Sequence, residues 1–128
     1  MTRFIACGEL TSTIGGSFKV PSFLLVKNGV IYDDLMLTKD FIKNGRLNFP
    51  VKFEKVVGFF DCSDMNLISL EGCPEEIEGS FWCSYNKLTS LEGCPKKVGE
   101  DFYIRVNPRK FTEEEVRAVC DVKGKVFL

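Results

Sequence analysis

Phe60-Asp-Cys-Ser-Asp-Met-Asn-Leu67, followed by Leu70-Glu-Gly-Cys-Pro74 and Ile77, returns 21 residues later as Phe81-Trp-Cys-Ser-Tyr-Asn-Lys-Leu88, Leu91-Glu-Gly-Cys-Pro95 and Val98. A third copy begins at Phe102-Tyr-Ile-Arg-Val-Asn107 and breaks off before Pro108. Self-similarity at a short fixed period is the mark of a solenoid, whose units bury their apolar faces only by stacking on one another. Within a unit the apolar residues alternate, as at Phe81 and Cys83, which suits a short strand with those two side chains inside. Leu88 and Leu91 follow on the return segment. Glu-Gly-Cys-Pro makes a corner, where Gly93 tolerates positive φ and Pro95 fixes the way back. So short a period leaves no room for a long helix on the return, and turn, extended or 3₁₀ structure is expected there.

Upstream the pattern fades. Gly16-Ser-Phe18-Lys-Val20 matches Gly79-Ser-Phe81-Trp-Cys83, and Phe18 stands two periods before Phe60. Between them, Asp40 to Pro50 reads as a degenerate unit off register. Val56-Val-Gly58 matches Ile77-Glu-Gly79. Phe23 to Tyr32 is apolar and β-prone, and Asn28-Gly29 interrupts it as a hairpin signal.

Downstream the character changes. Thr112 and Glu115 form a capping box, Phe111 can staple onto Val116, and three glutamates sit where the helix dipole favours them. A helix over about 112–121 is expected, with Val116, Val119 and Cys120 as its apolar stripe. Val126 to Leu128 reads as a last strand, and the helix is the natural cap for the open end of the core. The chain is expected to be a single domain, 1–128. It has a β-rich N-terminal part with degenerate repeats (1–50), a repeat region (51–107) and a C-terminal cap (108–128). The fold class expected is mainly β with minor α: a short parallel β-solenoid with an irregular N-terminal part and a capping helix.

The string F-x-C-S-x-N-x-L-x-x-L-E-G-C-P resembles a leucine-rich repeat of the short bacterial type. Phe81, Cys83, Asn86, Leu88 and Leu91 take the motif positions, and so do Phe60, Cys62, Leu67 and Leu70 one unit earlier. Met65 stands there in place of the motif asparagine, with Asn66 beside it. The third unit keeps Phe102, Ile104 and Asn107 and loses the leucine. The wording is similar to that of small proteins encoded by tailed phages. The resemblance covers about Val56 to Asn107. It implies that Asn86 and Asn107 satisfy backbone amides at the strand exits. It also implies binding of a host protein, in the host cytoplasm, rather than catalysis.

Composition narrows the chemistry. There are 17 basic and 18 acidic residues and no histidine, so the commonest general base and the commonest zinc nitrogen ligand are both absent. The N-terminus lacks the apolar run of a signal peptide, and no stretch has the length of a membrane span, so a soluble cytoplasmic protein is expected. Cys62, Cys73, Cys83 and Cys94 are a zinc-like number, but they come from two repeat positions and include no C-x-x-C pair. Ile104 fills the strand position in the third unit. Packing as small hydrophobes is the stronger reading, with metal or disulfide the alternative. No catalytic residue, cofactor or metal is expected. Glu75-Glu76 and Glu113 to Glu115 read as a solvated corner and a helix start.

The outward strand positions carry the functional expectation. Asp61, Trp82 and Tyr103 lie between buried residues, with Trp82 between Asp61 and Tyr103 on adjacent strands. Ser63, Ser84 and Arg105 follow on the same face, and Phe59, Ser80 and Asp101 precede. The expected partner-binding residues are Phe59, Asp61, Ser63, Trp82, Ser84, Tyr103 and Arg105, with Trp82 as the anchor. One alternative is a small-molecule-binding domain or enzyme with a pocket between the N-terminal part and the repeat sheet. A second is a weak nucleic-acid binder using Lys96, Lys97, Arg105, Arg109 and Lys110.

Overall fold

The computed structural model describes residues 4–6, 29–49 and 53–128. In chain order its strands are β1 (Phe4–Ala6), β2 (Val30–Ile31), β3 (Asp34–Met36), β4 (Ile42–Lys43), β5 (Arg46–Leu47), β6 (Lys55–Val56) and β7 (Phe60–Asp61). Then come β8 (Glu76–Ile77), β9 (Phe81–Trp82), β10 (Lys97–Val98), β11 (Phe102–Tyr103), helix α1 (Glu113–Val119), β12 (Asp121–Val122) and β13 (Val126–Phe127). A six-stranded sheet runs β1-β3-β7-β9-β11-β13 and a five-stranded sheet runs β12-β10-β8-β6-β2. Every neighbouring pair in both is parallel. The architecture among the described residues is therefore mainly strand, in parallel sheets, with a single α-helix.

Within the repeat region the register follows the sequence period, and the last rung pairs at a longer spacing. Phe60 pairs with Phe81, Phe81 with Phe102 and Phe102 with Val126. On the other sheet Val56, Ile77, Val98 and Val122 line up. These side chains face inward and are buried, except the half-buried Val126. The Phe60 and Phe81 rings stack at 5.8 Å, and Phe81 meets Phe102 edge-on at 5.0 Å. Leu67, Leu70 and Leu88 from the returns close the core and are fully buried. Each such side chain contributes about 1.5–3 kcal/mol relative to exposure. The strands are short, but the ladder runs on past them: Cys62, Asp64, Cys83 and Tyr85 donate their amides to Trp82, Ser84, Tyr103 and Arg105 carbonyls at 2.8–3.0 Å.

Asn86 holds the strand exit. Its Oδ1 accepts from the Met65 and Leu67 amides, both at 2.9 Å, and its Nδ2 donates to the Cys62 and Cys83 carbonyls, both at 3.0 Å. Asn107 repeats the arrangement one unit on, accepting from the Leu88 amide at 3.0 Å. Asn66 does not take this place in the first unit; it is exposed, with φ 55°. At the return corner Gly93 has φ 87°, and a Cβ there would stand 2.5 Å from the Glu71 backbone, so only glycine fits without a shift.

The C-terminal cap forms as the sequence predicts, with one correction. Thr112 Oγ1 accepts from the Glu115 amide and Glu115 accepts from the Thr112 amide, completing the box. Phe111 and Val116 are buried. Val119, expected on the apolar stripe, is half exposed at 50%. The helix stops there: Cys120 is already extended (φ −140°, ψ 131°) and takes the inward place itself. Arg117 ties the helix to the last corner by donating to the Val122 and Gly124 carbonyls at 2.8 Å.

The N-terminal part departs further. Asp40 to Phe49 is not the degenerate rung expected. It is a 3₁₀ turn (Lys39–Phe41) followed by an antiparallel hairpin, β4 with β5. Asn44 (φ 54°) and Gly45 (φ 75°) supply the paired positive φ angles of a two-residue hairpin turn. The rung that precedes β7 is β3, in which Leu35 pairs with Phe60. Val30–Ile31, next to the Asn28-Gly29 signal, pairs parallel with β6. The expected partner arm from Phe23, and the Phe18 unit, lie outside the described residues.

Candidate binding surface

Because Phe60, Phe81 and Phe102 point inward, the next residue on each strand points out. Register then aligns Met36, Asp61, Trp82, Tyr103 and Phe127 across five adjacent strands. The rings interlock. Phe59 stacks on Trp82 at 5.3 Å with 15° between planes, Trp82 meets Tyr103 edge-on at 5.7 Å, and Tyr103 stacks on Phe127 at 4.6 Å. The Arg105 guanidinium ends the row 5.7 Å over the Phe127 ring. Aromatic pairs of this kind are each worth about 0.5–1.5 kcal/mol beyond their buried area.

Phe59, Asp61, Ser63, Trp82, Tyr103 and Phe127 are half-buried and Arg105 is exposed. Trp82 stands between Asp61 and Tyr103 in register, as expected, and its ring also stacks on Phe59, just before the neighbouring strand β7. Its Nε1 is buried with no hydrogen-bond partner among the described residues. Ser84 does not belong to the accessible patch: it is 6% exposed, and its Oγ accepts from the Arg105 amide at 2.9 Å. Ser80 is buried likewise and accepts from the Asp101 amide at 3.2 Å. Asp61 accepts from the Ser63 amide at 2.9 Å, and Asp101 accepts from the Lys125 amide at 2.8 Å. Much of the polar part of the face is thus turned to the backbone, and what it offers outward is aromatic. The sequence reading missed Phe127. The signal was present in Val126-Phe127, which follows the helix with the inward–outward alternation of earlier rungs.

The thiols lie on the other side of the sheet. Cys62 and Cys83 are buried beside the phenylalanine rings, Cys120 is buried under the helix, and Cys73 and Cys94 are half-buried at the corners; all five are free. Burial pushes the Cys62, Cys73 and Cys83 thiols up, which keeps them protonated. Cys62 and Cys83 pack within the apolar core as small hydrophobes, and Cys73 packs against it. A hydrogen bond between Cys94 and Cys120 pushes Cys120 up and holds Cys94 down. Among the described residues no group of three or more ligating side chains is arranged to hold a metal. The Thr112 amide, then Arg109, hold the Glu115 carboxyl below its usual range, in keeping with its capping role.

A groove of about 430 Å³ opens at the third unit between Tyr85, Val106, Arg109 and Phe111. It gathers Arg105, Arg109 and Lys110, whereas Lys96 and Lys97 belong to the five-stranded sheet side. The basic residues that read as one patch in sequence are therefore divided. No helix among the described residues is long and apolar enough to cross a membrane. No family model, curated protein or solved structure matches the chain.

Proposed function

We propose that this chain is a short parallel solenoid of leucine-rich-repeat type and that the aromatic row of its six-stranded sheet binds a protein partner without catalysis. The observation that carries the reading is the run Phe59, Trp82, Tyr103 and Phe127, ended by Arg105. Trp, Tyr and Arg are the side chains most enriched in binding hot spots, and here neighbouring rings hold them rigid before any partner arrives. The unit-by-unit register supports the solenoid reading. The lack of histidine and the inward-turned serines and aspartates support a non-catalytic role. The resemblance of the repeat to tailed-phage proteins points to a host protein as the partner, bound and thereby inhibited or redirected in the host cytoplasm.

The test is capture of bacterial lysate proteins on the immobilised chain, followed by titration of the captured partner. Trp82→Ala is expected to weaken binding by about 2 kcal/mol or more, as hot-spot truncations do. Because Trp82 packs on Phe59 and Tyr103, it also loses stability, by about 1–3 kcal/mol from two aromatic pairs. Asp61→Asn, which leaves the rings in place and keeps an acceptor for the Ser63 amide, separates the effects: it should weaken binding with little change in Tm. Affinity unchanged by both substitutions would remove the aromatic row as the interface.

A further inference from the structure

The outer face of the six-stranded sheet carries opposite charges on either side of its tryptophan. Strand β9, with Trp82, lies between β7, with Asp61, and β11, which Arg105 follows. Neighbouring strands stand about 4.8 Å apart, so each charge is one strand spacing from the middle. Neither Asp61 nor Arg105 has an ion-pair partner among the described residues. Asp61 Oδ1 accepts from the Ser63 amide. The Arg105 guanidinium lies 5.7 Å over the Phe127 ring, which brings it back to the level of the row.

The pattern continues outward. Met36 on β3 and Phe127 on β13 are the next positions of the row, one to each side. Met36 is 37% exposed and Phe127 is half-buried. Asp34 precedes Leu35 on β3 and Lys125 precedes Val126 on β13, so a carboxylate and an ammonium again stand at opposite ends.

A surface built this way fits itself. Half a turn about an axis parallel to β9, in the plane between two facing sheets, exchanges β7 with β11 and β3 with β13. In such a contact each residue i meets j of the other copy while j meets i. Asp61 then faces Tyr103 and the Arg105 guanidinium of the second copy, Met36 faces Phe127 and Asp34 faces Lys125. Trp82 meets Trp82 on the axis. Phe59 meets Asp101, whose carboxylate is already taken by the Lys125 amide. The strands of the two copies run nearly aligned, a common packing of sheets. An axis across the strands would instead set Asp61 against Asp61 and Arg105 against Arg105.

We propose that two copies of this chain associate face to face through the aromatic row, about a two-fold axis along β9. The inference rests on the reading of that row as a protein-binding surface and names its first occupant: a second copy, which any other partner must displace. Charge complementarity fixes the orientation, and the rings supply the apolar contact.

The experiment is sedimentation velocity over a concentration series, with the emission of the chain's single tryptophan followed in parallel. The mass should rise from one chain to two, and the emission should shift to the blue with it. Asp61→Arg and Arg105→Asp each set like charges opposite one another twice, so each should weaken pairing about tenfold or more. Mixed in equal amounts, the two variants should pair again, because every facing charge is then opposite in sign. Asp61→Asn and Arg105→Gln, with smaller losses expected, serve should a reversal disturb the fold. Added salt should weaken the parent dimer. A dimer indifferent to these substitutions, or a mixture that pairs no better than either variant alone, would overturn the proposal. A mass of one chain throughout would also overturn it, while leaving the row free for another protein. Failure to capture any bacterial protein with the dimer intact would remove that other reading and uphold this one.

Discussion

Between Lys55 and Asn107 the return from one rung to the next is built the same way twice; between Met36 and Phe53 it is built differently, yet the rungs on either side still pair. In the regular units an asparagine closes the strand exit, a leucine enters the core and a glycine corner turns the chain back. In the earlier stretch a 3₁₀ turn buries Phe41 and a hairpin follows. The hairpin nevertheless lies against the next return: the Ile68 amide donates to the Gly45 carbonyl at 2.8 Å, and Arg46 pairs with Glu71 at 3.1 Å. The rungs are fixed by their neighbours through register, whereas the return only has to deliver the chain to the next rung and cover the core.

That contrast can be broken by mutation. The largest effect is expected at Leu88, a regular return residue with no exposed surface: Leu88→Ala should cost about 2–5 kcal/mol in chemical denaturation. Lys87→Ala beside it should stay within about half a kcal/mol. Equal costs would mean that the regular return is not part of the core.

Asn86→Ala comes next. It strands buried backbone donors and acceptors on two units, and about 2–3 kcal/mol is expected. Asn107→Ala, at the half-buried last exit, should cost roughly half as much. Urea midpoints for the pair would sharpen the comparison, and a reversed order would show that the ladder is not held from its middle.

A smaller effect than at Leu88 or Asn86 is expected in the irregular return. Gly45→Ala places a side chain at φ 75° with its Cβ 3.0 Å from the Ile68 side chain, a flexible neighbour that can give. About 1–2 kcal/mol is expected, as strained left-handed residues cost. A loss as large as that of Leu88→Ala would show that the hairpin is as integral as the regular units.

The same contrast explains what was legible in the sequence. Rungs were readable where inward Phe60, Phe81 and Phe102 repeat with their asparagines and glycines, and the capping box around Thr112 announced the helix. The β3 rung was not, because Leu35 does the work of a phenylalanine and the spacing to Phe60 differs from the period. Asn44-Gly45 is a hairpin signal as strong as Asn28-Gly29, but it falls inside the stretch that reads as a degenerate unit. For the binding face, alternation was enough to put Trp82 and Tyr103 outside. It could not show that Ser84 turns to a backbone amide, or that Phe59 also supports the indole, because both depend on side-chain direction. Phe127 and the groove at Val106 depend on how the chain beyond the helix returns to the sheet, and no repeat spans that distance.

Within the repeat region each strand pairs with its neighbour at the sequence period, and this bears on how such a chain can change length. A duplicated unit inserted at a corner such as Cys94-Pro95 would set phenylalanine against phenylalanine and asparagine against asparagine, so each new neighbour would meet contacts it already makes. An insertion one residue too long or too short in a rung would turn every inward side chain to solvent. Growth of this molecule is therefore stepwise, by whole units, and each step would lengthen the aromatic row by one position without redesign of the rest.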